Sequence, residues 1–459
     1  MSAFNIKTGH VMIANQNGIS RSIIDQDYDN FAPRVGFAYD LSGNGRASVH
    51  GGYGIFYFPD YGGISNQLGQ QQPFAGANTY NASAGYCTSL TGLANPGGTP
   101  RTAYNCPYSA DATAPYNGVP TPTFVNFTPD NPPATYNGIA VNQNNNHSMI
   151  QQWNIQLQHQ LGSSNVASLA YVGTHSSRLS TYFPYNIYTI GTTTKPFPSI
   201  GGITYNDYNG SSNYNGLQAH LEHQGTIYTA TASYAWSHAL TNSETAFSGP
   251  SVAFGPLYND PKANYGNADQ DQRQIFSGSF VAFLPFGRGK KFAANAPRAL
   301  DAVIGGWQFN TILLLQTGEP VDISAEGSAQ PGNRPDLVKP ISYPKSISGT
   351  WFDTSSFSSA NLPVTPATDG SGNSVYTRVG TLGRNQVRGP GYRRDDVSVQ
   401  KNFQLTEGKT LELHGDAFNI SNTPNFNFPD SGEGDGNFGK ITGLHGSPRQ
   451  LQLAARFVF

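Results

Sequence analysis

The residues suited to chemistry in this chain are few and poorly clustered. Asp430–Asn437 reads DSGEGDGN and sets three carboxylates in a Gly-rich loop. Such a loop can hold a cation weakly, but acidic Gly loops are more often simply solvated. Asp40-x-Ser42-x-Asn44-Gly45 echoes the first half of a Ca²⁺ loop, yet Gly51 stands where the bidentate Glu is needed, which leaves a tight hairpin. His220 and Glu222 fall on one face of a strand and His223 on the other, so they lack the third ligand of a metal site. Gly287–Lys291 (GRGKK) lacks both the upstream Gly and the following Ser/Thr of a phosphate loop and reads as a basic turn. His147, His175, His238 and His445 have no carboxylate partner evident in the sequence. No G-x-S-x-G elbow and no H-E-x-x-H motif occurs. The chemistry therefore points away from an enzyme, and no metal or cofactor is expected. Cys87 and Cys106 lie in one Tyr/Asn/Pro-rich segment. In an oxidising compartment they would close a local disulfide; in a cytosolic loop they would stay two free thiols.

The composition of the supporting chain is unusual. Of 459 residues, 12% are charged, 12% aromatic and 37% hydrophobic. An average soluble domain carries about 25% charge. Gly, Tyr, Phe, Asn, Ser, Thr and Gln fill the difference. The aromatic content is too high for a disordered chain. The net charge of −2 and the lack of a Lys/Arg stripe argue against nucleic acid as a partner. No run of about 18 apolar residues exists, so a helical membrane protein is excluded. What remains is a β-protein whose wet surface is built from amides and hydroxyls.

Periodicity supports this. In Gln152–Leu161 the odd positions Trp153, Ile155, Leu157 and Leu161 alternate with Gln and Asn. Tyr228, Ala230, Ala232, Tyr234 and Trp236 alternate with Thr229, Thr231 and Ser233. Leu217, Ala219 and Leu221 do the same, as do Leu411, Leu413 and Ala417. A period of two with one greasy and one wet face is the strand signature. About twelve strands of transmembrane length are predicted, over 3–14, 33–40, 46–58, 150–161, 164–174, 213–223, 226–237, 272–284, 303–316, 394–403, 409–420 and 449–459. Their connections alternate short (40–45, 162–163, 224–225, 285–302, 404–408) and long (15–32, 59–149, 175–212, 238–271, 317–393, 421–448). A transmembrane barrel keeps such order, with short turns facing the periplasm and long loops facing outside. Lipid supplies no hydrogen-bond partners, so the backbone must pair with itself, the outer face must be oily and the lumen polar. Tyr53, Tyr57, Tyr234 and Trp236 suit an interfacial girdle, although aromatics are also good strand formers.

Gln450–Phe459 (QLQLAARFVF) places Leu451, Leu453, Ala455, Phe457 and Phe459 on one face and ends on Phe. This resembles the C-terminal signal of bacterial outer-membrane barrels, which the barrel-assembly machinery reads as an edge strand; the plain alternative is an amphipathic strand that happens to end there. Further motifs in order resemble the Oar-like TonB-dependent receptors: NFAPRVGFAYD (30–40), QQWNIQLQHQL (151–161), AYVGTH (170–175), ASYAWSHAL (232–240), GNADQDQR (266–273), LPFGRGK (284–290), GGWQFNTILLLQTG (305–318), GRNQVRGPGY (383–392) and DAFNISNTPNF (416–426).

The resemblance implies a cell outer-membrane location with lipid as surroundings, and a machine in three parts: a signal peptide with a small carboxypeptidase-regulatory-like domain, a plug gripped by TonB, and a wide barrel of ~22 strands. Met1–Ala14 lacks the features of a signal peptide. The chain is thus expected to be the C-terminal portion of such a barrel, all-β, antiparallel and partial. The upstream parts would be missing through a truncated gene, a mis-assigned start or a broken contig, and TonB would be engaged only through the missing plug. The implied role is transport of a large solute, whether glycan, peptide, metal chelate or protein. Competing readings are a passive porin- or adhesin-like barrel, a soluble sandwich lectin, and a fragment without function of its own.

Overall fold

The computed structural model describes residues 1–58, 68–69, 71–73, 127–134, 136–144, 147–243, 262–325, 333–346, 348–406 and 408–459. Cys87 and Cys106 lie outside the described residues. The chain divides into two compact units, one of residues 1–26, 60–145 and 197–206, the other of residues 27–59, 146–196 and 207–459.

In the first unit, β1 (Ser2–Phe4) and β2 (Val11–Ile13) form an antiparallel hairpin with Phe4 opposite Val11. The expectation of one membrane strand over 3–14 is therefore wrong. Asn5 accepts hydrogen bonds from the backbone N–H of Lys7 and Thr8, and Gly9 takes φ +75°, which turns the chain inside the alternating run. Ala3 and Phe4 are fully buried, with Phe4 edge-on to Phe197 at 4.9 Å. These side chains face a protein core and not hydrocarbon.

The second unit is an antiparallel sheet. Its strands are β3 (Arg34–Asp40), β4 (Ala47–Phe58), β6 (Ser148–Leu161), β7 (Asn165–Pro184), β8 (Ile203–Gln224), β9 (Tyr228–Thr241), β11 (Gln274–Phe283), β12 (Trp307–Gln316), β19 (Tyr392–Thr406), β20 (Lys409–Phe418) and β21 (Gln450–Val458), paired in that order. The first four residues of β8 belong to the first unit, where they pair in parallel with β5 (Gly138–Val141). That strand lies inside the expected 59–149 connection. Two-residue β10 (Gly266–Asn267) adds to the end of β9. Eleven of the twelve expected spans thus fall on one path. The exception is 3–14; of the eleven, the one at 303–316 begins only at Trp307, because Arg298–Ile304 is a short helix, α1. β7 and β8 outrun their expected spans by many residues.

Register converts the alternation into rows. Tyr39, Val49, Leu157 and Leu169 lie side by side across β3, β4, β6 and β7. Phe309, Val399, Gly415 and Leu453 do so across β12, β19, β20 and β21. These rows are exposed: Leu157 is 47% accessible and Leu453 89%. The opposite face carries Asn310, Ser398, Asp416 and Gln452 in one row. An exposed row of large apolar side chains is costly in water and favourable in lipid, at roughly 25 cal/mol per Å². Aromatic rings cover glycines within these rows: a Cβ at Gly173 would run into the indole of Trp153, its direct neighbour across the ladder.

Short turns join the strands at one end. At 41–46 the Asp40 carboxylate accepts from the N–H groups of Ser42, Gly43 and Gly45, so its oxygens serve the hairpin. Because ten antiparallel steps separate β3 from β21, these two outer strands run in the same sense. A direct pairing between them would be parallel, against the pattern of every other step.

Candidate functional site

The long connections of the second unit gather at the other end of the sheet, and the chain's scarce charges are concentrated there. The connection between β12 and β19 folds on its own strand pairs: β13 (Pro320–Val321) with β18 (Val387–Arg388), β14 (Asp336–Leu337) with β15 (Phe357–Ser358), and β16 (Val364–Pro366) with β17 (Ser374–Tyr376). Val321, Ile323, Phe352, Phe357, Leu382 and Val387 form its core. Phe438, from the connection before β21, packs edge-on against Phe352 at 5.3 Å. A Cβ at Gly318 would collide with the Gly389 carbonyl, so the two ends of this connection approach backbone to backbone.

Asp271, at the foot of β11, is the centre of a polar network and only 1% exposed. Its carboxylate accepts from Arg273 Nε at 2.8 Å, from an Arg388 guanidinium nitrogen at 2.5 Å and from the backbone N–H of Ala239 at 2.7 Å. Arg388 also donates to the Asp271 carbonyl at 2.6 Å. His238 and Asn267 both contact Arg273, at 2.8 and 3.1 Å. Asn267 and Asn385 exchange side-chain-to-backbone hydrogen bonds, both at 2.8 Å. Arg384, only 4% exposed, reaches the Thr241 carbonyl and Asp269 at 3.2 Å each. Burial pushes the Asp322 carboxyl up, while Arg334 and Arg384 pull it back. Charge-assisted, partly bidentate bonds of this kind are directional and strong where water is excluded. They lock the connection before β11 to the connection before β19.

The sequence-level candidates are dispersed. Glu433 turns away from Asp430 and Asp435 to accept from Ser359 N–H at 2.6 Å, and no group of three metal-ligating side chains converges among the described residues. His220 bonds Ser233 at 2.8 Å, Glu222 accepts from Gln224 at 2.6 Å, and His223 stacks on Tyr228 at 4.1 Å. The basic turn 287–291 is tied to α1, with Arg288 N–H donating to Asp301 at 2.7 Å. His147 does have a partner that the sequence hid: Asp27, at 3.5 Å, with Asn30 at 2.6 Å. Leu451, Leu453, Ala455 and Phe457 share the apolar face of β21, and Phe459 follows, stacked with Phe457 at 6.0 Å. β21 has a ladder partner on the β20 side alone among the described residues. The Asp271 network was missed, although GNADQDQR and GRNQVRGPGY contain most of it. The available signal was charge: acidic and basic residues are crowded into these two runs in a chain otherwise poor in both.

No curated protein matches the chain in sequence. Among solved structures it is similar to the outer membrane transporter YddB from Escherichia coli (10% identity, TM-score 0.46), covering 94% of this chain and 41% of that one. It is also similar to the ferripyoverdine receptor of the Pseudomonas aeruginosa outer membrane (12% identity, TM-score 0.42, 94% and 33% covered). A third is the siderophore receptor PiuA from Acinetobacter baumannii (10% identity, TM-score 0.40, 93% and 35% covered). The chain spans about two fifths or less of the length of these proteins. A family model described as an outer membrane beta barrel domain matches residues 1–452. An exposed oily face, a polar face and one-sided long loops are what that family needs, and the chain belongs to the outer membrane beta barrel domain family.

Proposed function

We propose that this chain is the C-terminal barrel portion of an Oar-like, TonB-dependent outer-membrane transporter or receptor for a large solute. The observation that carries the reading is the ordered loop side. The connections of β9, β12 and β20 are joined by ion pairs around the buried Asp271 and by the aromatic contact of Phe352 with Phe438. A passive pore has no need of such an ordered rim. A protein that captures a scarce solute gains from it, because rigid contacts lower the entropy lost on binding.

Strand direction supports incompleteness. With β3 and β21 running in the same sense, antiparallel closure requires an odd number of further strands. Bacterial single-chain barrels have even totals, so an eleven-stranded path would be completed by a complementary odd set. In this reading the further strands and the plug are supplied upstream, TonB acts through that plug, and lipid surrounds the apolar rows. The barrel-assembly machinery would read Leu451, Leu453, Ala455, Phe457 and Phe459.

An epitope placed at Gly372, in the β16–β17 turn, tests the proposal in the source cell. The expected product is larger than 49.2 kDa and co-isolates with TonB. A product of 49.2 kDa that never cross-links to TonB would contradict it.

A further inference from the structure

A concave feature lies beside the Asp271 network, on the polar face at the loop-side ends of β12 and β19. It encloses about 420 Å³, within the ordinary range of small-molecule sites, about 300–1,000 Å³. Its floor is backbone. Gln316 pairs directly with Tyr392, and Gly391 lies so close that a Cβ there would come within 2.6 Å of the Gln316 carbonyl oxygen. Its walls are aromatic. Tyr392 and His445 meet edge-to-face at 5.8 Å, and Phe428 lies over Gly389 while remaining 53% exposed. Its polar groups include Gln272, Thr317, Glu319 and Asn427 beside Gln316, with Gln272 Nε2 donating to one Glu319 oxygen at 3.0 Å. Neither Lys nor Arg lines it.

We infer that this pocket is a subsite for a neutral carbohydrate. The chemistry selects by exclusion and by fit. An anion would meet the Glu319 carboxylate with no cation to offset it, and burying like charges together is costly. A cation would find amide oxygens but a single carboxylate, already accepting from Gln272, and no second carboxylate to complete its neutralisation. A sugar hydroxyl both donates and accepts, so it matches a carboxylate and amides in the same wall. The apolar C–H face of a pyranose packs on exposed rings such as Phe428 with little loss of rotamer entropy. The position suits a first contact for a solute arriving from the loop side. In that sense the inference rests on the transport reading above and names its substrate class.

The test uses the full chain, purified in a detergent without a sugar headgroup, on an array of neutral, sialylated and sulfated glycans. Neutral glycans are expected to be retained. Phe428→Ala is expected to weaken retention about tenfold, the order expected for one ring contact, and Glu319→Gln to weaken it further, both with unchanged circular dichroism and heat-modifiable migration. Retention of acidic glycans only, no retention of any neutral glycan, or wild-type retention by the Phe428→Ala/Glu319→Gln double variant would each overturn the inference. Glycan retention without TonB-dependent uptake would instead contradict the transport reading and leave the subsite standing.

Discussion

Arg388 grips Asp271 twice, once through the carboxylate at 2.5 Å and once through the backbone carbonyl at 2.6 Å, across 117 residues of sequence. The pairing fixes where β18 ends relative to where β11 begins. Arg388→Ala is expected to cost about 2–3 kcal/mol, below the 3–5 typical of a fully buried pair because the Arg388 side chain is partly exposed. Arg388→Lys should rescue little, since a single ammonium nitrogen lacks the planar fork whose two nitrogens reach the carboxylate and the carbonyl separately. Limited proteolysis would read the effect: new cleavage within 317–391 while the sheet stays resistant. Unchanged cleavage in Arg388→Ala would show that the pair does not hold the rim.

Tyr188 and Asp369 make a pH-dependent latch. Hydrogen bonds from Ser371 and Tyr188 hold the Asp369 carboxyl down at about 2, against an ordinary value of 3.8. A carboxyl lowered by folding contributes stability above its unfolded value and loses it as pH falls through the folded one. The contribution should therefore be complete by about pH 5 and fade toward about pH 2. Melting of wild type and Asp369→Asn at both ends of that window gives the difference. Wild type should lose more on acidification than the variant, and equal losses would refute the latch.

Trp153 covers Gly173 on the apolar face, so a side chain at 173 must displace the indole. Gly173→Val is expected to destabilise by about 1–3 kcal/mol, the usual cost of overpacking. Adding Trp153→Ala should recover part of that loss. Urea unfolding in lipid vesicles measures both, and a double variant that is no more stable than the single would remove the contact as the cause.

The end of β21 offers a separate test. Phe459 is 91% exposed and stacks on Phe457, beyond the last residue of the strand. If the terminal aromatic is read during assembly, Phe459→Asn should slow insertion by the assembly machinery without lowering the stability of protein already folded. Pulse-chase appearance of the heat-modifiable form checks the rate. An unchanged rate would assign Phe459 no role in assembly.

Much of the sheet was legible in the sequence, and the failures have physical causes. Leu157 and Leu169 were readable because lipid on one side and polar groups on the other impose a period of two. That period fades where protein covers the strand on both faces, as at Thr181, Tyr182 and Phe183 at the end of β7 (HSSRLSTYFP) and at Ile203 and Asn206 at the start of β8, and both stretches were expected to be loop. Alternation also survives a tight turn, so Asn5 and Gly9 hid the β1–β2 hairpin. The Asp271 network was illegible as a site because its partners come from distant segments, and only folding brings Arg388 to it.

The central claim is that the exposed apolar rows face hydrocarbon. Single nitroxide labels at positions 154 to 158 of β6, in protein reconstituted into vesicles, test it most directly. Relaxation by oxygen, which partitions into lipid, should dominate at Ile155 and Leu157. Relaxation by a water-soluble nickel chelate should dominate at Asn154, Gln156 and Gln158. Uniform access of the chelate, or the inverse alternation, would contradict the account.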